Sequence, residues 1–246
     1  IAALKLIENG KEEVVRPFAE FTNSLAEVIF KLTSMITSLT PYAVLALMTN
    51  AVGRVDSTAI APFILILVLN YVASAIHTFL GTGILVSVFA KVNPFTYFKK
   101  VWPVTMIGFT TQSSMGAIPA NVENLTEKQG VAEEIASFTA PLGATMGMPG
   151  CAGFWPVMNA IFVANMMGLG WGAADYIKLI LIALLVSLGT VGVPGTATIT
   201  TTALFASMGL PLEMVVLLAP ISTLADMGRT ATITTTALFA SMGLPL

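Results

Sequence analysis

Two long stretches of this chain, residues 135–174 and 179–212, carry no acidic or basic side chain at all. An apolar run beyond about 18 residues is long enough to cross a bilayer as a helix. By contrast, nine charged residues crowd in before Thr33. Only 10% of the 246 residues are charged and 56% are hydrophobic, whereas soluble domains carry about 25% charge. Lipid offers no partner to backbone N–H and C=O groups, so segments of this kind must be helical. The sequence therefore predicts an all-α, multi-pass integral membrane protein in contact with the lipid bilayer.

Composition also excludes some functions. A net charge of −2 without any basic stripe gives no case for a nucleic acid partner. The single cysteine, Cys151, rules out an internal disulfide. No metal-ligand cluster and no phosphate-binding loop is visible. The chain begins at Ile1 rather than at a methionine and lacks the apolar core of a signal peptide, and its start is read as a truncation.

Polarity divides the chain into successive segments. Residues 1–56 form a charged cytoplasmic lead-in and a first span, apolar from about Phe18 to Val52. Residues 57–92 form a second span, apolar from about Ala59 to Ala90. Residues 93–130 differ, because "VWPVTMIGF" and "AIPANV" flank the polar "TTQSSMG". Each piece is too short to cross about 30 Å at 1.5 Å per residue, which predicts a re-entrant hairpin. Residues 171–212 repeat that design, with "GTVGVPGT" between two apolar pieces. Between the hairpins, residues 131–170 form a span interrupted at "MGMPGCAG", where Pro149 removes a donor and glycines weaken the helix. Residues 213–231 begin a last span.

Irregular backbone at membrane depth survives only inside protein or along a cavity. Two interrupted hairpins, each followed by a broken or charged span, form the pattern of transporter cores built from inverted repeats. The basic residues Lys5, Lys11, Arg16, Lys91, Lys99, Lys100 and Lys128 fall on one side of this topology, with Arg54 and Lys178 on the other. The positive-inside rule puts the first side in the cytoplasm.

Asp226 and Arg229 lie three residues apart in the last span and share a helix face. An ionisable group at such depth costs about 2.5–3.5 kcal/mol on insertion scales and marks a candidate functional site. The two could simply satisfy each other as a salt bridge. Equally, an acid and a base side by side match the cation and anion of an amino acid. The hairpin tips "QSSMG" and "GTVGVPG" offer free amides suited to a carboxylate and carbonyls suited to Na⁺, although a tight turn alone would account for glycine and serine there. Met148 and Cys151, taken alone, read as membrane packing. His77 with Ser113 or Ser114 would suggest an intramembrane hydrolase, but no nucleophile elbow or third member supports it.

"TTQSSMGAIP", "FTAPLGATMGMPGCAG", "SLGTVGVPGTATI" and "DMGRT" resemble, in order and spacing, the signature segments of the dicarboxylate/amino acid:cation symporter family, which includes the glutamate transporters. The upstream spans fit that family's fifth and sixth helices. The resemblance implies a glutamate-transporter-like core of two re-entrant hairpins and broken helices. It further implies a homotrimer working by elevator-type alternating access, in which this chain would lack the first four helices. Ser113 and Ser114 would then face the substrate's α-carboxylate, and Val193 and Gly195 would close over it. Asp226 would take the amino group, Arg229 the distal end, and Thr230 would line the site. One cation site maps to Thr145 and Met148 with the carbonyls of Ser187, Leu188 and Thr190.

The departures from that pattern also carry meaning. Where members that carry acidic amino acids have Asn-Met-Asp, this chain has Gly147-Met148-Pro149. A carboxylate and an amide oxygen are absent, and hard cations want such ligands. The resemblance thus implies fewer coupled Na⁺ ions, or H⁺ as the coupling ion, with no other cofactor. Cys151 replaces a hydroxyl and joins the substrate-site residues, and "PGCAG" is similar to the bacterial L-cystine uptake branch. The resulting expectation is a secondary active symporter, not an enzyme, importing an amino acid or dicarboxylate, with L-cystine foremost, across a bacterial inner membrane. The alternative is a non-transporting membrane binding or scaffold fragment.

Residues 230–246 copy residues 196–212 letter for letter over seventeen positions. Functional repeats diverge until only pattern survives. Residues 232–246 are therefore expected to come from recombination or mis-assembly. Ile233 and Ala237 stand where the family would present Asn and Asp to a cation.

Overall fold

The computed structural model describes residues 12–39, 42, 49, 60–193 and 195–242, all helical or in turns between helices. The chain divides into two units, residues 1–49 and 50–246. In the first, α1 (Glu12–Ser38) contains Pro17 and an exposed Arg16–Glu20 pair at 2.9 Å, one helical turn apart. Most of the remainder of the expected first span, together with Lys5, Lys11, Arg54 and Asp56, lies outside the described residues.

The second unit opens with α2, which starts as Ile60–Ala75 and continues through wide π turns at Ile76–Thr82 and Val86–Ala90. Its 30 residues from Ala61 to Ala90 are long and apolar enough to cross a membrane, and little of that stretch is buried in protein. Ile64, Leu65, Val68, Val72, Ile76 and Phe79 all point outward. In water such a face would be an association liability; against lipid tails it is solvated.

The region expected as the first hairpin holds α3 (Pro94–Thr111) and α4 (Ile118–Glu123), which runs on as a π segment, Asn124–Gln129, that packs on α3. Asn93 caps α3, its side chain accepting from the Phe95 N–H at 2.9 Å, with Pro94 at the first helical position where no donor is needed. The helix stops at Gln112, whose left-handed backbone (φ 54°) turns the chain into the polar tip. The second hairpin pairs α7 (Ala173–Leu188) with α8 (Thr196–Met208) across a glycine-rich loop. Between them lie α5 (Glu133–Met146), a π segment (Pro149–Phe154) and α6 (Trp155–Met166). The expected break is present at Gly147 and Met148, neither of which is helical.

The last helix, α9 (Glu213–Met242, 30 residues), is the axis of the unit and packs on α2, α3, α5 and the π segment. Small residues permit that proximity. Ala136, Ala140 and Ala144 recur every fourth residue along α5, each fully buried. A Cβ on Gly143 would lie 2.9 Å from the Ala237 Cα. Close approach of backbones is what holds helices together where lipid removes the hydrophobic drive between them. Side-chain hydrogen bonds add to it: Asn70 Nδ2 donates to the Ala225 carbonyl at 3.0 Å and the Tyr71 hydroxyl to that of Leu224 at 2.9 Å.

The duplicated residues take two different environments. In α8 the copy stands as a short helix ended by left-handed Gly209, with Ile199 59% exposed. In α9 the second copy simply prolongs a longer helix, and the equivalent Ile233 is 2% exposed.

Candidate functional site

The site is built around the break between α5 and α6. An unbroken helix would bond the Ala144 carbonyl to the N–H of residue 148 and the Thr145 carbonyl to that of residue 149. Met148 instead donates to the Met146 carbonyl at 3.1 Å, and Pro149 has no N–H to give. Two adjacent carbonyls are left without helical partners. Both are taken up by hairpin tips. Ser114 Oγ of the first hairpin donates to the Ala144 carbonyl at 3.4 Å, and the Gly192 N–H of the second donates to the Thr145 carbonyl at 2.8 Å. The sequence elements expected to be irregular therefore meet at two consecutive carbonyls.

The first tip is itself ordered by Ser113, whose Oγ accepts from the Gly116 N–H at 3.0 Å. In the second, Thr196 Oγ1 accepts from the Val193 N–H at 2.9 Å and donates to the Val193 carbonyl at 2.6 Å, closing the loop on itself. Gly195, at φ 84°, supplies a left-handed turn that a side chain would strain. Val193 and Gly195 are both exposed.

Beyond the break, the π segment runs against α9. Gly150 is where they touch, since a Cβ there would lie 2.7 Å from the Arg229 Cβ. Cys151 lies within 3.8 Å of Asp226 Oδ1 as a weak thiol donor, and its carbonyl accepts from Thr200 Oγ1 at 2.7 Å. Arg229 and Asp226 form a salt bridge at 3.1 Å through Nη2 and Oδ1, but their surroundings differ, with side-chain exposures of 1% and 29%. A guanidinium this deep needs more than one partner to offset desolvation. Its Nη2 also donates to the Ser222 carbonyl at 2.6 Å and Ser222 Oγ at 3.1 Å. Its Cζ lies 4.5 Å over the buried Trp155 ring, a cation–π contact worth about 2 kcal/mol when desolvated. Nε and Nη1 are buried without a hydrogen-bond partner.

Of the residues singled out in the sequence, Ser114, Thr145, Met148, Cys151, Asp226 and Arg229 are thus joined through the break and its π segment. Met148 is buried, and Gly192 packs against its side chain. Ser187, Leu188 and Thr190 lie at the end of α7 leading into the same loop. Thr190 N–H donates to the Ser187 carbonyl at 3.2 Å, while Leu188 is exposed. Thr145 Oγ1 donates back to the Pro141 and Leu142 carbonyls, leaving its lone pairs as the oxygen a cation could use. Thr230 is buried beside Arg229 along α9. Among the described residues no cluster of three His, Cys, Asp or Glu side chains could hold a metal ion. Neither Ser222, Trp155 nor Thr200 was legible as part of the site. Ser222 could have been found from its spacing, since 222, 226 and 229 lie on one helical face.

Comparison with known proteins gives the arrangement its context. Residues 1–244 match the model of the sodium:dicarboxylate symporter family. An uncharacterized symporter of Haemophilus influenzae is 38% identical over 232 residues, covering 93% of this chain and 52% of that protein. The L-cystine uptake protein TcyP of Bacillus cereus is 36% identical over 213 residues, 86% of this chain and 46% of the relative. That of Shouchella clausii is 33% identical over 224 residues, 91% and 48% respectively. The chain spans about half the length of these relatives. The chain belongs to the sodium:dicarboxylate symporter family, a family of transporters and not of enzymes.

Proposed function

We propose that this chain is the substrate- and ion-binding core of a secondary active symporter that imports an amino acid, with L-cystine foremost. The observation that carries the reading is the convergence of both hairpin tips on the Ala144 and Thr145 carbonyls, next to the segment that holds Asp226 and Arg229. The partly exposed Asp226 carboxylate receives the ammonium group. The Ser113–Ser114 tip meets the α-carboxylate. Nε and Nη1 of Arg229 are buried donors without partners, and charged N–H groups of this kind suit the remote carboxylate of cystine. Val193 and Gly195 cover the ligand, and Cys151 and Thr230 line it. The names of the relatives from Bacillus cereus and Shouchella clausii favour cystine over a dicarboxylate.

Thr145, Met148 and the carbonyls of Ser187, Leu188 and Thr190 hold the coupling Na⁺. Gly147, Pro149, Ile233 and Ala237 offer no carboxylate or amide oxygen for more ions, so the coupling number is low or H⁺ substitutes. The complete protein works as a homotrimer in a bacterial inner membrane, its core moving elevator-fashion against a scaffold.

Uptake of labelled L-cystine into proteoliposomes under an inward Na⁺ or proton gradient is the test. Accumulation that collapses with the gradient and is abolished by Asp226→Ala is expected. Binding of cystine without accumulation under either gradient would leave a non-transporting binding module in its place.

A further inference from the structure

Beside the ion pair, on the side of α6 and α8, is a small cavity of ≈ 10 Å³ lined by Trp155, Asn159, Thr198, Thr201, Leu218 and Ser222, among others. That is room for the centre of one water molecule. Asn159 is 1% exposed, and neither atom of its amide has a hydrogen-bond partner. An amide in that condition loses solvation without compensation, about 1–3 kcal/mol for each group left unmade. Two other side chains lining the cavity have partners. Thr201 Oγ1 donates to the Ala197 carbonyl at 2.6 Å, and Ser222 Oγ accepts from Arg229 at 3.1 Å. The Ser222 hydroxyl proton remains available.

We propose that one ordered water fills this cavity and makes Asn159 a positioning residue for Arg229. The water accepts from Asn159 Nδ2 and from the Ser222 hydroxyl, whose oxygen in turn accepts from the guanidinium. A sodium ion is the poorer occupant, because the Arg229 cation is held against Trp155 and Ser222, two of the residues lining the cavity. A hydrogen-bond chain of this kind polarises along its length, so Asn159 fixes the rotamer of Ser222 and with it the face that Arg229 presents. This rests on Arg229 meeting the distal end of the substrate. Its consequence is that Asn159, which contacts no part of the ligand, tunes discrimination between cystine and amino acids lacking a distal carboxylate.

Two measurements test it. A density map of the wild-type protein at water-resolving quality is expected to place one water within hydrogen-bond distance of both Asn159 and Ser222. An empty cavity, or an Asn159 amide bonded directly to protein, overturns the proposal whatever the transport data show. In proteoliposomes, Asn159→Leu is expected to raise KM for L-cystine about fivefold, the worth of one hydrogen bond between neutral groups. Its kcat and the inhibition constant of L-alanine are expected to stay unchanged, and Asn159→Ser, which leaves a hydroxyl and room for water, to restore most of the affinity. A folded Asn159→Leu protein with unaltered cystine KM, or with both ligands weakened equally, refutes it. Arg229→Ala separates the two levels: if it erases the preference for cystine while Asn159→Leu keeps it, only the water link fails. If Arg229→Ala also keeps the preference, the reading of Arg229 fails and the inference goes with it.

Discussion

Substituting Gly192 with alanine isolates the contact between the second hairpin tip and the broken helix. The backbone of Gly192 is not in the left-handed region, so alanine carries no conformational penalty there and the effect is steric alone. The new Cβ would collide with the Met148 methyl, a flexible group that can swing aside. It would also lie 3.0 Å from the Ala144 carbonyl oxygen and 3.1 Å from the Thr145 Cα, which are backbone atoms and cannot. The tip must then withdraw by several tenths of an ångström, stretching the 2.8 Å bond from the Gly192 N–H to the Thr145 carbonyl. Overpacking typically costs about 1–3 kcal/mol and a lost hydrogen bond about 1 kcal/mol. Taken as about 2–3 kcal/mol together, that is roughly a 30- to 150-fold loss of affinity for a ligand covered by the tip. Equilibrium binding of L-cystine to purified protein, alongside thermal unfolding in detergent, measures it. Gly189→Ala is the control, since a Cβ there meets nothing closer than the Leu185 carbonyl oxygen at 3.8 Å. Equal affinities for wild type and Gly192→Ala, or equal losses for both variants, would refute the contact as the determinant.

Gly150→Ala places a Cβ 2.7 Å from the Arg229 Cβ and 3.0 Å from its Cα, and should lower the melting temperature and weaken substrate binding together by about 1–3 kcal/mol. Asp226→Asn removes the charged partner of a guanidinium that is 1% exposed. The partial exposure of the acid moderates the loss to about 1–3 kcal/mol of stability by denaturant titration, while uptake is abolished. Ser114→Ala leaves the Ala144 carbonyl without its side-chain donor and should weaken binding by about 1 kcal/mol with little change in melting. Reading the source gene again across residues 229–246 is expected to end the identity with residues 196–212, and a reproducible duplication would disprove that.

Much of the fold was legible because it follows from local chemistry. The charge-free stretches required helices in lipid, and Pro149 with its neighbouring glycines required a break that the structure places at Gly147 and Met148. The polar stretches likewise interrupt the helices, after Thr111 and after Leu188. What the residues did not announce was where the freed carbonyls would find partners, since that depends on approaches between elements distant in sequence, such as Gly192 to Thr145. The anchoring of Arg229 by Ser222 and Trp155 was hidden for the same reason: in a sequence, a buried tryptophan looks alike whether it packs or stacks. The repeated segment shows the limit most directly. The same seventeen residues give an exposed Ile199 and a buried Ile233, because propensity fixes the helix while the neighbours fix its environment.

The Ala144 and Thr145 carbonyls belong to consecutive peptide units, each planar and stiff, that are joined only at the Thr145 Cα. Two loops that arrive from separate parts of the chain are therefore hitched to adjoining plates with one swivel between them. Turning the backbone at Thr145 by a few tens of degrees would change the angle between the two acceptors, so one loop could be let go while the other keeps its grip.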